Sequence, residues 1–377
     1  MKRIAIRNGK FALTFILNLA ITGIAAAETY NANSFLPPTH PQGKVLIDYA
    51  ADVLAATDGR VNFKVYTGGS LMPAREGLQA LEQGIAQIGY VAGTYTPNEL
   101  PLANVLADLA FNTPDMMVAA FAYTEVNLTN PQLQQEWLSK NIVFGIGHST
   151  DSYRFICKGE ASNINFLKGK KVRTPGGLWS RFAEYVGAVP VNVPASEMFT
   201  GLERGLLDCV NNEVVSLKDR SLWDVANSVN MISLGTYSSG TGFSYNKKFW
   251  QSLDDKTRVI LLKNAAVALA RMQSESYQSN SVARSEAEKK GISFFDPGTA
   301  LITAVEKFRA KDLETLLTKG RYGVSDPAPV VDAYLAAVKR WTALLSGVDY
   351  ADFDALKKLS ENKLFGVVDV SSYGMAK

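Results

Sequence analysis

Residues 254–290 contain neither proline nor glycine, and this run restricts the possible folds more than any other feature of the chain. A helix over these 37 residues would reach ~55 Å at 1.5 Å per residue. That is longer than one small domain, so the run predicts a strut lying along two lobes. Small polar residues accumulate at 274–281, and a break there into two ordinary helices is the alternative.

The rest of the chain alternates strands and helices. Residues 29–35 read as a strand, and Val45, Leu46, Tyr49, Val53 and Leu54 recur at helical spacing. Val61, Phe63 and Val65 alternate with Asn62 and Lys64 as in a half-buried strand, which Gly68 and Gly69 end. A helix is expected from about Pro73. The segment 80–88, ALEQGIAQI, resembles 201–209, GLERGLLDC. Each is a helix end, a glycine stop and a strand start, preceded by a strand and a turn. Two related α/β lobes explain the repeat; chance recurrence of a common junction is the competing explanation. Strands at 142–147, 153–157 and 171–174 and a helix at 178–185 continue the alternation, which argues for mainly parallel sheets. Helices are expected again at 299–319, 328–345 and 352–362.

Lys2, Arg3, Arg7 and Lys10 precede an apolar stretch at 11–24 and the small residues Ala25, Ala26 and Ala27. This is the pattern of a cleaved secretory signal over 1–27, and the apolar stretch is shorter than the ~20 residues a membrane span needs. Cleavage would remove four of the 39 basic residues and no acidic one, leaving 35 against 36 acidic. The mature chain is then nearly neutral and carries no basic stripe, which disfavours nucleic acid. Its 350 residues suffice for two cores. An exported chain with only Cys157 and Cys209 favours one disulfide over two buried free thiols. His40 and His148, far apart in sequence, do not make a zinc ligand set. His40 reads as a solvent-exposed loop residue and His148 as a polar cap at a strand end. There is no nucleophile elbow and no phosphate-cradling glycine loop, and no cofactor is expected.

Arg173, in the run Lys171-Val172-Arg173-Thr174-Pro175-Gly176-Gly177, would stand at the carboxyl end of a strand, the edge where open α/β sheets bind ligands. A guanidinium there can clamp a carboxylate through two charge-assisted hydrogen bonds; a surface salt bridge is the plainer alternative. The helix starting near Gly177 would add N–H donors.

Residues 169–175 (GKKVRTP), 186–190 (VGAVP), 196–199 (SEMF) and 205–208 (GLLD), with 68–84 and 246–250 (NKKFW), together resemble the solute-binding subunits of tripartite ATP-independent periplasmic (TRAP) transporters, the DctP family. The resemblance covers roughly 28–310. It implies a two-lobed, periplasmic-binding-protein-like α/β fold whose lobes close on a ligand by a hinge motion, with a long helix spanning both. The expected division is 28–151 with 239–279, 152–238 with 280–325, and a C-terminal helical extension at 326–377. It also implies a periplasmic, non-enzymatic receptor, taken as a monomer, that delivers a small organic acid to a membrane permease. A ligand sensor for a membrane kinase or chemoreceptor and a periplasmic hydrolase or lyase are the alternatives.

In the family pattern Arg173 is the carboxylate clamp, Arg154 a second arginine and Asn212 a polar pocket residue. Sialic-acid-binding members carry acidic residues in the first lobe where this chain has Ala74 and Ala92, beside Leu71, Met72 and Tyr90. The departure favours a keto acid, dicarboxylate or aromatic acid over a nine-carbon sugar. Tyr95 and Trp179 are candidate wall residues or core aromatics, and Glu213 either binds a ligand hydroxyl or makes a salt bridge. Arg173→Lys should weaken binding while leaving ligand-free stability nearly unchanged, because lysine keeps the charge and loses the fork.

Overall fold

The structure, a computed structural model, describes residues 28–113 and 115–375; the expected signal at 1–27 lies outside the described residues. Among the described residues eleven strands form two sheets. They are β1 (Glu28–Asn33), β2 (Val61–Tyr66), β3 (Ile88–Val91), β4 (Ile142–Ile146), β5 (Arg154–Cys157), β6 (Lys171–Thr174), β7 (Val189–Asn192), β8 (Cys209–Asn212), β9 (Ser228–Asn230), β10 (Thr241–Asn246) and β11 (Ser293–Phe295). The first sheet has the order β2-β1-β3-β10-β4 and the second β11-β9-β5-β8-β6-β7.

From β2 to β4, and from β7 to β9, the pairings run parallel, parallel, antiparallel, antiparallel in both sheets. The lobes are topological copies. The two halves of the sequence repeat fall at equivalent places, ending in β3 and β8, with Gly84 and Gly205 both left-handed at φ 72° and 69°. Both sheets are mainly parallel, as the strand–helix alternation predicts, with one strand in each running against the others. Each receives one antiparallel strand when the chain crosses between lobes, β5 on the way out and β10 on the return, and linear alternation cannot register such an exchange.

The strut is one unbroken helix, Asp255–Lys289, with Asp254 accepting from the Thr257 N–H at its start. Leu261, Leu262, Ala265 and Leu269 enter the first lobe's core, while Ala283 and Ala287 enter the second's. Its polar middle does not break because those side chains bind the interlobe segments. Gln273 exchanges hydrogen bonds with the Ser149 backbone, and Asn280 donates to Glu213 at 3.1 Å.

The helix Thr299–Lys319 also spans both lobes, Leu301 and Phe308 packing in the second and Leu316 in the first. The helix Ala328–Leu344 adds Val330, Val331, Tyr334, Ala337 and Trp341 to the first lobe's core alone. Near the end of the chain the Tyr373 hydroxyl donates to the Phe144 carbonyl at 2.8 Å.

Candidate ligand-binding site

Parallel β6 and β8 end, and antiparallel β5 begins, at one edge of the second sheet, the edge turned toward the first lobe. Arg154 pairs with Asn212, and Arg173 with Val210. Strand alternation therefore sets Arg154, Arg173 and Asn212 on one face.

Arg173 is 1% exposed. Its Nε donates to the Val193 carbonyl at 2.9 Å, one terminal nitrogen to the Asn211 carbonyl at 3.0 Å and the other to the Tyr95 hydroxyl at 3.2 Å. A guanidinium has five N–H groups, so one remains on each terminal nitrogen. Tyr95 belongs to the first lobe, in the turn after β3. Its hydroxyl also accepts from the Ala195 N–H at 3.0 Å, and its own proton has no acceptor among the described residues. The first lobe thus reaches across to the second at the arginine itself.

Arg154 is half-buried and turns from this cluster. It donates to the Ile232 carbonyl at 3.1 Å, while its Nε is buried without a partner. Burial lowers its pKa, with Asp151 opposing. Asn212 is buried beside it. Trp179 is core: it is 1% exposed, donates to the Leu234 carbonyl at 2.9 Å and packs on Tyr153 and Tyr237. Glu213 makes no salt bridge among the described residues. It accepts from the Asp151 N–H and from Asn280, both at 3.1 Å, fastening the first interlobe segment to the long helix. Burial, then the charge of Asp219, pushes its pKa up to about 8.

The facing wall of the first lobe is the cluster Phe35, Leu36, Ala74, Tyr90, Ala92 and Tyr95, all uncharged. The Tyr90 hydroxyl lies 3.2 Å from His148 Nε2. His148 is fully buried, its Nδ1 has no partner, and burial lowers its pKa to about 3. Tyr153 and Tyr237, on the two interlobe segments, stack at 5.9 Å, and Tyr237 shares a 2.8 Å hydrogen bond with Thr94. Sequence reasoning missed both tyrosines. Their signal was only that Tyr153 adjoins Arg154, because neither segment has a periodicity to interpret.

His40 is not a solvent-exposed loop residue. It is 4% exposed and caps the helix Pro41–Ala56 by accepting from the Gln42 N–H at Nδ1. That bond leaves the proton on Nε2, which faces Asp219 of the second lobe at 3.5 Å. Cys157 and Cys209 are cross-strand neighbours in β5 and β8 and form a disulfide, Cα atoms 4.0 Å apart, on the sheet face opposite Arg173.

The profile of the bacterial extracellular solute-binding proteins of family 7, DctP, matches residues 32–313. The outer membrane transporter protein TsaT of Comamonas testosteroni is 24% identical over 312 residues, covering 80% of this chain and 87% of that one. DctP7 of Bordetella pertussis, an extracytoplasmic solute receptor binding pyroglutamic acid, superposes with a TM-score of 0.70 at 22% identity, over 82% of this chain and 100% of that one. A TRAP periplasmic solute-binding protein of Bordetella bronchiseptica with bound mandelate gives 0.73 at 20% identity, over 83% and 99%. With matching lobes and a profile spanning most of its length, the chain belongs to the DctP family of solute-binding receptors, which are not enzymes.

Proposed function

We propose that this receptor captures a small organic acid between its lobes, its carboxylate on Arg173, and delivers it to a TRAP permease from the periplasm after signal cleavage. The observation that carries the proposal is the buried Arg173 guanidinium, which keeps one N–H on each terminal nitrogen opposite an uncharged aromatic wall. A closing cleft replaces the water around an anion with fixed donors or leaves a buried charge at a cost of several kcal/mol. Arg173 supplies both charge and fork. Asn212 lies at the same sheet edge to bind a hydroxyl or oxo group, while Tyr95 and Tyr90 enclose the apolar body. Arg154, turned to Ile232, assists only if its side chain swings inward. The receptors of known structure described above hold pyroglutamate and mandelate, both compact acids.

A thermal-shift screen of the chain without residues 1–27 against carboxylates, sulfonates, uronates, amino acids and neutral sugars tests this. Ligand at about 100 times Kd adds about 2.7 kcal/mol of stability, and organic acids should raise the melting temperature while neutral sugars do not. A response confined to neutral sugars, or none at all, refutes the carboxylate clamp.

A further inference from the structure

The charges around the lobe interface are unequally available. Arg181 is held by Asp108 and Asp312, each at 2.8 Å. Arg220 makes no salt bridge with the adjoining Asp219 among the described residues, though its charge favours the Asp219 carboxylate, and its Nε is buried without a partner. Arg75 is exposed at the rim, where it donates to the Asn192 carbonyl at 3.1 Å. Arg154 is directed at the Ile232 carbonyl. Among the described residues only Arg173 combines full burial with the first lobe's wall, and one of its terminal nitrogens already donates to a phenol.

We propose that Tyr95 sets the charge of the ligand: its hydroxyl oxygen fills the anion position formed by Arg173 and the Ala195 N–H, so the site admits a single carboxylate and rejects a second. The inference rests on the receptor function proposed above. The first carboxylate takes the two remaining Arg173 N–H groups and the free Tyr95 proton. A second finds no cation beside Arg173 aimed at it: Arg154 is turned to the Ile232 carbonyl and Arg220 lies by Asp219 and His40, although each keeps a buried Nε without a partner among the described residues. Across the cleft it meets Phe35, Tyr90 and Ala92, and beside Tyr153 it meets the buried carboxyl of Glu213. His148 supplies no charge, since its ring is buried against Tyr90 and Tyr237. An uncompensated buried carboxylate is strongly disfavoured. Replacing tyrosine by phenylalanine empties the oxygen position and frees two donors, one from Arg173 and one from Ala195, for a second anionic group.

Titration calorimetry with mandelate against phenylmalonate, and butanoate against succinate, on the wild type and Tyr95→Phe tests the proposal. The wild type should bind the monocarboxylate of each pair at least about a hundredfold more tightly, a difference of about 2.7 kcal/mol, and Tyr95→Phe should narrow that ratio at least about tenfold. The ratio cancels any general weakening of lobe closure, which affects both members of a pair. Tyr95→Leu is the substitute if the phenylalanine variant does not fold. Equal binding of mono- and dicarboxylates by the wild type, or an unchanged ratio in the variant, overturns the role of Tyr95 and leaves the receptor function standing. Failure of every acid to bind overturns both.

Discussion

The two lobes share one topology and divide the chemistry between them. The second lobe brings the guanidinium and the Asn212 amide to its cleft edge and keeps its disulfide at the far end of the same strands; the first brings an aromatic, uncharged wall. They are stabilised differently too. The first lobe's core absorbs the C-terminal helix, with Trp341 packed 4.9 Å from Phe121. The second lobe's apolar residues are split into clusters on the two faces of its sheet, and a covalent bond links β5 to β8. Topology sets where the strand ends lie, and the residues placed there set what each lobe does.

The widest gap between the lobes should appear on truncating Trp341. Trp341→Ala leaves a cavity in the first lobe and should cost about 3–5 kcal/mol, measured by denaturant unfolding. A loss below about 1 kcal/mol would mean the C-terminal helix is an appendage and the lobes are equally self-sufficient. In the second lobe, Cys157→Ser with Cys209→Ser should cost about 2–4 kcal/mol, with the same unfolding assay showing no change on adding reductant to the double variant. Arg173→Lys should weaken binding of any acid identified in the screen ten- to a hundredfold, as expected for the loss of a charge-assisted hydrogen bond of about 1.5–3 kcal/mol. The structure revises the companion expectation of unchanged ligand-free stability. Arg173 also holds the Val193 and Asn211 carbonyls, which lysine cannot reach as a fork, so the ligand-free melting temperature should fall as well.

The smallest effect sharpens the comparison at the boundary between lobes. The pKa of Glu213 is raised to about 8 by burial, so the folded state binds its proton more tightly than the unfolded chain does. Its contribution is complete at low pH and is lost as pH rises through 8. His40 and His148 are shifted the opposite way by burial, and they contribute above the ordinary histidine range and lose stability as pH falls. Between about pH 6.5 and 8 Glu213 therefore acts without them. Stability should decline across that window on the order of 1 kcal/mol, with Glu136, raised by burial to about 7, contributing at its lower end, and Glu213→Gln, which keeps an acceptor for Asp151 and Asn280, should reduce the decline, most above pH 7, in melting curves taken at each pH. An unaltered slope would remove Glu213 from the account.

By itself the sequence determined the elements and the two-lobed frame. Absence of proline and glycine made the strut, the repeat at 80–88 and 201–209 marked equivalent junctions, and Arg173 at a strand end marked the cleft edge. These are local signals, carried by periods of 3.6 and 2 and by residues that stop them. Tertiary structure alone decided the exchanged antiparallel strands, the lobe that receives the tail, the burial of His40 and the meeting of Tyr95 with Arg173 across 78 positions of chain. The physical reason is that such contacts come from packing two folded bodies against each other, which no local period along the chain encodes.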